Sequence, residues 1–203
     1  MNYIFFIIFA FVCGAIPFSV WLGKLVLQKD VRFVGDGNPG AINVIKSGSK
    51  TLGIIVLILD ITKAALPVGL AYNNFEIRGL PMALIAVAPV IGHAFSPFLL
   101  FKGGKAIGTA LGSWIGLTIW KAPLAGLIPT LIGFGFVSSS GWAILLGLIG
   151  ILVLLFFWNP DKILFLVWAV IAMVLIWKHR HDLSKIPKFR PWVSKLIFSL
   201  RKH

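Results

Sequence analysis

The chain has 203 residues, 59% of them hydrophobic, and its mean hydropathy is +0.97. A soluble domain of this size has no place for so much apolar surface, so the composition excludes a soluble globular protein and indicates an integral membrane protein. Six carboxylates stand against 19 Lys and Arg, for a formal net charge of +13. The basic residues lie between apolar runs and in one C-terminal stretch, which fits anionic lipid and an anionic substrate better than nucleic acid.

Apolar runs along the chain predict an all-α membrane protein with about seven transmembrane helices. The runs cover residues 3–25, 51–72, 80–95, 106–120, 122–137, 141–158 and 163–177. Several are shorter than the ~20 residues of a typical span. The first contains Pro17 and has no basic residue before it, so we interpret it as a span and not as a signal peptide.

The basic residues predict the orientation of these spans. With the N-terminus outside, 15 of the 19 Lys and Arg fall in inner loops and the C-terminal stretch, and three fall in outer loops. Cytoplasmic loops carry an excess of Lys and Arg, so we expect the N-terminus outside and the C-terminus in the cytoplasm. This requires an odd number of spans. We divide the chain into a membrane-embedded catalytic domain, residues 1–178, and a basic amphipathic cytoplasmic tail, residues 179–203.

The first inner loop is rich in glycine and hydrogen-bonding side chains. It reads VRFVGDGNPGAINVIKSGSK and contains Asp36, Asn38, Gly40, Asn43 and Lys46. Such a loop forms tight turns, and its amides can orient a ligand or hold the loop itself. We interpret it as part of a site, since loops on a rigid scaffold often carry one; the alternative is a plain connector.

The second inner loop predicts a phosphate site. Lys102, Gly103, Gly104 and Lys105 place two ammonium groups beside a backbone that a ligand can approach closely, just before a predicted helix near Ala106. Free backbone N–H groups and a helix N-terminus both attract anions. The alternative is a tight turn whose lysines only mark the cytoplasmic side.

Polar groups follow the last span, and others lie inside two earlier spans. His179, Arg180 and Asp182 come directly after the last apolar run, and suit phosphate binding, proton transfer or contact with lipid headgroups. Asp60 and Lys63 share one face of the second span, where we favour a structural ion pair or support for the site over direct catalysis. His93 ends the third span and is interpreted as a further supporting residue.

The C-terminal stretch, residues 187–203, mixes cations with apolar side chains. Trp192, Leu196, Ile197 and Leu200 alternate there with Lys and Arg. This composition is typical of a segment that lies in the membrane interface.

Three ordered motifs and one dipeptide resemble a known family. GDGNPGAINV, LDITKAALP and GHAFSPFLLFKGGKAIGT, followed by His-Arg after the last span, are similar to the bacterial acyl-phosphate:glycerol-3-phosphate acyltransferases of the PlsY type. The resemblance covers most of the chain. It implies seven helices in the bacterial inner membrane, an active site at the cytoplasmic face, and transfer of a fatty acyl group from acyl phosphate to the 1-hydroxyl of glycerol 3-phosphate, which yields lysophosphatidic acid.

The resemblance also assigns roles to the residues above. It implies phosphate contacts for Lys105, His179 and the Gly103–Gly104 backbone. We assign catalytic roles to Lys105, His179 and Asp36, and supporting roles to Asp60, Lys63 and His93. The predicted substrate-binding residues are Asn38, Gly40, Asn43, Lys46, Lys102, Gly103, Gly104, Arg180 and Asp182. We expect acyl phosphate, glycerol 3-phosphate and membrane lipid as partners, with no cofactor, metal or nucleic acid.

Four positions depart from the family's pattern. Asp36 stands where serine is usual, Ile42 where threonine is, Lys46 where arginine is, and Asp182 where asparagine is. Two added carboxylates repel a phosphate, and lysine lacks the paired donors of arginine. Acylation of a different acceptor therefore stays open. A small lipid or anion transporter, suggested by the intramembrane Asp60 and Lys63, is the remaining alternative.

Overall fold

The computed structural model describes residues 2–193 of the chain, and within them the architecture is all-helical, as predicted. The helices are α1 Tyr3–Ala15, α2 Phe18–Leu27, α3 Ala41–Lys46, α4 Lys50–Gly69, α5 Gly79–Ala94, α6 Ile107–Thr118, α7 Lys121–Phe136, α8 Ser140–Trp158, α9 Lys162–Lys178 and α10 Arg180–Leu183. One π-helical turn, Leu70–Asn74, continues α4.

In the described part of the chain, residues 2–193, four helical segments are long and apolar enough to cross a membrane: Tyr3–Leu27, Lys50–Asn74, Gly79–Leu99 and Ser140–Trp158. Helix α7 is apolar but shorter. Large hydrophobic side chains point outward, such as Leu25 at 78% exposure and Phe157 at 88%. This outward apolar surface is what a lipid-facing protein requires. The count of seven spans and the orientation of the termini stay predictions.

The first predicted span is broken into two helices. Helix α1 ends at Ala15 and α2 begins at Phe18, because Pro17 has no N–H to continue the helical hydrogen bonds. The carbonyls freed at the break find partners inside the protein. Ser96 Oγ donates to Ala15 O at 2.6 Å and Lys63 Nζ donates to Ile16 O at 2.7 Å. The short helix α3, inside the first inner loop, is not among the predicted elements.

Helix α5 is the centre of the fold and packs against α1, α4, α6 and α9. It is buried on nearly every side, including Ile85, Ala86, Val90 and His93. Small residues allow this close packing, as is usual between membrane helices. A Cβ added at Gly14 would lie 2.2 Å from Pro89 O, so α1 and α5 touch backbone to backbone.

The chain after α10 runs along the end of α7, and we call residues 185–193 the C-terminal strap. Phe189 forms an isolated antiparallel bridge with Val137. Within residues 2–193, five hydrogen bonds hold the strap: Ser138 N to Lys188 O at 3.0 Å, Arg190 N to Phe136 O at 2.9 Å, Arg190 Nε to Phe134 O at 2.7 Å, Trp192 Nε1 to Gly135 O at 3.1 Å, and Trp142 Nε1 to Lys185 O at 3.0 Å. The interfacial positions Leu196, Ile197 and Leu200 lie outside the described residues.

We predict that Gly92→Ala destabilises the fold through the α1–α5 contact. A Cβ at Gly92 would lie 2.3 Å from Phe11 O, so the two backbones must separate, at a cost of ~1–3 kcal/mol. The midpoint of thermal unfolding in detergent should fall. Gly135→Ala is the matched control, because a Cβ there has no heavy atom within 4 Å among the described residues. Equal midpoints for the two variants would contradict the backbone contact.

Candidate active site

A polar cleft of about 640 Å³ opens where four connecting segments meet. It is lined by Asp36, Asn38, Ile42, Lys46, Lys105, Ile107, Phe134, Ser138, Ser139, Ser140, Asp182, Lys185, Ile186, Lys188 and Arg190. These residues come from the first loop and α3, the turn before α6, the α7–α8 connection, and the chain from α10 onward. The cleft therefore brings together segments from the two ends of the sequence.

Lys105 binds one carboxylate from the first loop and one from the segment that begins with α10. Its Nζ donates to Asp36 Oδ2 at 3.0 Å and to Asp182 Oδ2 at 2.9 Å. Asp182 Oδ2 also accepts from Ser140 Oγ at 2.6 Å. Two of the three ammonium protons are thus committed to acidic partners, and one is left for a ligand.

These contacts shift the pKa values of all three groups toward the charged form. Burial disfavours the charged ammonium, but the hydrogen bonds and charges of Asp182 and Asp36 outweigh it and raise the pKa of Lys105. Burial likewise opposes ionisation of the two carboxyls. The hydrogen bond from Lys105 lowers the pKa of Asp36, and those from Ser140 and Lys105 lower that of Asp182, so both net shifts are downward. The triad therefore carries one positive and two negative charges near neutral pH.

The loop that presents Asp36 is held by Asn43. Asn43 is 1% exposed, and its Nδ2 donates to Asp36 Oδ1 at 2.9 Å and to Asn38 O at 2.9 Å. Gly35 and Gly37 have φ of +63° and +74°, where other residues are strained, which explains the glycines on each side of Asp36. Gly40 caps α3 with extended backbone. Asn43 and Gly40, predicted to bind substrate, thus hold the loop in shape.

The Gly103–Gly104 turn lies against the end of α5. A Cβ on Gly103 would be 2.0 Å from His93 O, and one on Gly104 would be 2.3 Å from His93 Nε2. Gly104 N donates to His93 O at 3.1 Å, so this amide is not free for phosphate, contrary to the sequence interpretation of the turn. The amides of Gly103 and Lys105 make no hydrogen bond to any residue that the structure describes.

Lys178 fixes this turn from the other side, and the sequence interpretation gave it no role. Its Nζ donates to Gly103 O at 2.8 Å and to Ala94 O at 2.9 Å. It therefore ties the last turn of α9 to the end of α5 and to the turn that carries Lys105. A cation at a helix C-terminus is also favoured by the helix dipole.

Asp60, Lys63 and His93 form a buried network behind the turn. Lys63 Nζ lies 2.7 Å from Asp60 Oδ1 and 3.0 Å from His93 Nδ1, and both charged side chains are under 10% exposed. Because a lysine ammonium only donates, His93 Nδ1 accepts and the ring proton is on Nε2, next to Gly104. The network connects the break between α1 and α2 with the turn that carries Lys105.

His179, Arg180 and Lys102 lie differently from the triad. His179 is 1% exposed, its Nδ1 donates to Leu175 O at 2.8 Å, and its Nε2 has no partner within residues 2–193. Burial lowers the pKa of His179, so its imidazole is neutral at pH 7. Arg180 is exposed and stacks on Trp177, with its guanidinium carbon 4.7 Å from the ring centroid. Lys102, His179 and Arg180 are not among the residues that line the cleft.

Sequence reasoning missed several residues of the cleft. Ser140 binds Asp182 directly, although the sequence analysis assigns this serine no role. Lys188 and Arg190 line the cleft, although residues 187–203 have the composition of a membrane-interfacial segment, and Lys185, which had no predicted role, lines it as well. These three cations lie within eight residues of Asp182 in the sequence, and this closeness could have indicated that they line the same cleft.

An apolar groove begins beside the polar cleft. It has a volume of about 80 Å³, is lined by α6, α7, α8 and α9, and shares Ile107 with the cleft. Trp114, Leu148 and Ile151 are among its walls. Within residues 2–193, no group of three His, Cys, Asp or Glu is placed to hold a metal ion. The geometry therefore offers a charged compartment joined to an apolar one.

Comparisons with known proteins agree with this geometry. A family model described as glycerol-3-phosphate acyltransferase matches residues 4–188. A glycerol-3-phosphate acyltransferase of Anaeromyxobacter sp. (strain Fw109-5) is 36% identical and covers 87% of this chain and 88% of its own. That of Aquifex aeolicus (strain VF5) is 30% identical over 92% of this chain and 96% of its own.

Solved structures show the same fold. The crystal structure of PlsY (YgiH), an integral membrane glycerol 3-phosphate acyltransferase, in its glycerol 3-phosphate form has a TM-score of 0.85 to this chain. It is 28% identical and covers 97% of this chain and 99% of that one. The lysophosphatidic acid form has a TM-score of 0.81 over 91% of each chain. Family model, relatives and fold agree, and the chain belongs to the glycerol-3-phosphate acyltransferase family.

Proposed function

We propose that this membrane enzyme transfers a fatty acyl group from acyl phosphate to the 1-hydroxyl of glycerol 3-phosphate, giving lysophosphatidic acid and phosphate for phospholipid biosynthesis. The observation that carries the proposal is the placement of Lys105 in a cleft that adjoins an apolar groove at Ile107. The groove suits an acyl chain, and the cleft suits the polar ends of donor and acceptor. The solved glycerol 3-phosphate and lysophosphatidic acid forms of PlsY support the choice of acceptor and product.

The chemistry needs few protein groups. Acyl phosphate is already activated, so the acceptor hydroxyl attacks the acyl carbon, phosphate leaves, and no covalent enzyme intermediate forms. Catalysis comes from holding the two substrates together and neutralising the leaving phosphate. The third proton of the Lys105 ammonium and the amides of Gly103 and Lys105 are the donors we assign to that phosphate. His179 keeps its predicted role as a phosphate ligand; because Nδ1 carries the ring proton, its unpartnered Nε2 accepts a hydrogen bond from a protonated phosphate oxygen.

A substrate phosphate is the best candidate to take the hydroxyl proton. The lowered pKa values of Asp36 and Asp182 make both carboxylates weak bases at neutral pH. The second ionisation of a phosphate monoester has a pKa of about 6, closer to the working pH. We therefore assign Asp36 an electrostatic role, pairing with Lys105.

A second candidate acceptor is a hydroxyl compound without phosphate. The specific observation that favours it is the pairing of Lys105 with two carboxylates, which weakens the attraction of this lysine for an anion. A panel of acceptors, incubated with palmitoyl phosphate and analysed by mass spectrometry, separates the two. Product formed with glycerol 3-phosphate and not with glycerol supports the first acceptor; the reverse supports the second.

We predict that Lys105→Ala reduces acyl transfer to below about a tenth of wild type, a loss of more than ~1.4 kcal/mol of transition-state stabilisation. The reason is that the leaving phosphate loses its positive partner. Phosphate release from palmitoyl phosphate with glycerol 3-phosphate measures the effect. Lys162→Ala, at an exposed lysine in the first turn of α9, is the control. A folded Lys105→Ala protein that keeps more than that tenth would refute the role.

We predict that Asp36→Ser lowers the KM for glycerol 3-phosphate. Removing this carboxylate frees a proton of the Lys105 ammonium and takes one negative charge away from an anionic acceptor. Steady-state kinetics of wild type and variant with glycerol 3-phosphate test it. Loss of turnover with every acceptor, and no gain in affinity, would instead indicate that Asp36 is a base for another acceptor.

We also propose seven spans in the bacterial inner membrane, with the N-terminus outside, the catalytic domain in residues 1–178 and a cytoplasmic tail beyond it. In a Cys13→Ala background, Phe33→Cys should resist an impermeant maleimide added to intact spheroplasts, because residue 33 lies in an inner loop. Phe33 is 88% exposed, so no part of the described protein shields a cysteine placed there. Lys162→Cys should be labelled. Labelling of Phe33→Cys from outside would contradict the proposed orientation and indicate the opposite one.

A further inference from the structure

The loop that follows α5 lies beside α2 and not beyond its end; we call residues 97–102 the 97–102 loop. It begins after Ser96, whose Oγ donates to Ala15 O at the break between α1 and α2. The ring of Phe98 then packs edge-on against Trp21, with 5.8 Å between the ring centroids. Trp21 stands six residues, ~9 Å of helix, before the end of α2. The loop is therefore level with the last turns of the first apolar segment, the depth at which tryptophans of membrane proteins concentrate.

The backbone amides of the 97–102 loop are bonded within the loop and to the residue before it. Four consecutive amides, those of residues 99–102, donate to carbonyl oxygens within residues 96–99 at distances between 2.9 and 3.1 Å. A loop in water does not need such bonds, because water can accept from its amides. Near the acyl chains of a bilayer an amide without a partner is costly. These hydrogen bonds therefore suit a loop that contacts lipid.

Leu100 and Phe101 make the outer surface of the loop apolar. Their φ values are +51° and +62°, in the left-handed region that is disfavoured for large side chains. Such a conformation at two successive residues points to a function for the turn. The two side chains are 82% and 66% exposed, so both project away from the protein. The strained backbone thus presents two large apolar side chains at the level of the membrane interface.

Lys102 follows these two residues and gives the loop its charge. It is exposed, and its ammonium group makes no hydrogen bond or ion pair with any residue that the structure describes. The sequence predicted that Lys102 binds substrate, but it does not line the cleft. A lysine beside apolar surface lays its stem along that surface and extends its ammonium group toward the headgroups. Anionic headgroups attract a lysine at this position.

We propose that the 97–102 loop is an interfacial membrane anchor, in which Leu100 and Phe101 insert among acyl chains and Lys102 binds the phosphate of an anionic phospholipid. The partner is a lipid of the surrounding bilayer and not the acyl donor. The loop packs against α2, whereas α6, α7, α8 and α9 line the groove assigned to the acyl chain of the donor. Because Gly103 follows Lys102 directly, the anchor also fixes the height of the Lys105 turn above the acyl chains. The inference goes beyond the proposed reaction and does not depend on it.

A fluorescent label at position 100 tests the insertion. In a Cys13→Ala background, Leu100→Cys is labelled with bimane and the full-length protein is placed in phosphatidylcholine vesicles. Phosphatidylcholine with brominated acyl chains should quench this label, and iodide in the water should not. Ile149→Cys, at a 55% exposed position on α8, is the lipid-side reference, and Lys50→Cys, at an exposed position that begins α4, is the water-side reference. Quenching of the label at position 100 by iodide as strongly as at position 50 would overturn the inference.

The same label tests the charge of Lys102. With Lys102 present, brominated phosphatidylglycerol should be enriched at the label about twofold to fivefold over brominated phosphatidylcholine; the upper value corresponds to ~1 kcal/mol for one lysine near an anionic surface. Lys102→Gln should remove this preference. Lys50→Gln, a second exposed lysine outside the cleft lining, is the matched control and should keep it. An unchanged preference in the Lys102→Gln protein would show that Lys102 is not the lipid ligand.

A kinetic arm separates the surrounding lipid from the acyl donor. In phosphatidylcholine vesicles, Lys102→Gln should keep the KM for palmitoyl phosphate within about twofold of wild type. A larger rise would assign Lys102 to the donor and overturn its role in the anchor. The quenching experiments need no turnover, so they test the anchor even if the protein does not acylate glycerol 3-phosphate. Failure of the anchor and failure of the proposed function are therefore distinguishable.

Discussion

The pairing of Lys105 with Asp36 and Asp182 is the contact on which the cleft depends. The partners are 69 and 77 residues away from the lysine in sequence, on opposite sides of it. One ammonium group thus joins the first loop, the turn before α6 and the segment after α9. The same contact sets the charge around Lys105, because two carboxylates face one ammonium group and leave the triad with a net negative charge. Acceptor choice and loop packing are therefore not independent in this chain.

A second constraint is that the surrounding helices hold the turn that carries Lys105 in place. It is held by donors from the helices around it: Lys178 through the Gly103 carbonyl, and the Asp60–Lys63–His93 network through the contact of His93 with Gly104. In a lipid environment an unpaired backbone carbonyl is costly, so lysines that bind carbonyls stabilise irregular backbone. Asp60, Lys63 and His93 are consequently buried, while Lys105 and its two carboxylate partners are partly exposed.

Much of the fold could be predicted from sequence because hydrophobic runs are long and charges are few. The meeting of Asp36, Lys105 and Asp182 also followed from placing their segments at one membrane face. Other features could not be predicted. Neighbouring helix residues point about 100° apart, so nothing in the string Lys178-His179-Arg180 tells which side chain enters the protein. The Gly104 amide donates to His93 O because the end of α5 lies beside this turn. That proximity is a feature of the tertiary structure, which the local sequence does not reveal.

The position of the C-terminal strap also could not be predicted from the sequence. A stretch of aromatic and basic residues after the last span has the composition of a membrane-surface segment. Its place beside α7 is set by main-chain hydrogen bonds together with bonds from the side chains of Arg190, Trp192 and Trp142. Composition therefore indicated a membrane-surface segment, but it could not indicate that the cations of this segment line the cleft.

The position of Asp60 and Lys63 on a single helix bears on how the protein enters the bilayer. Their spacing of three residues lets the carboxylate and ammonium meet within α4 itself, before α5 or α1 has packed against it. The nascent segment can therefore pass from the translocon into lipid as a nearly neutral cylinder. Had the same two charges been placed on different helices, each would have had to enter hydrocarbon alone and wait for its partner.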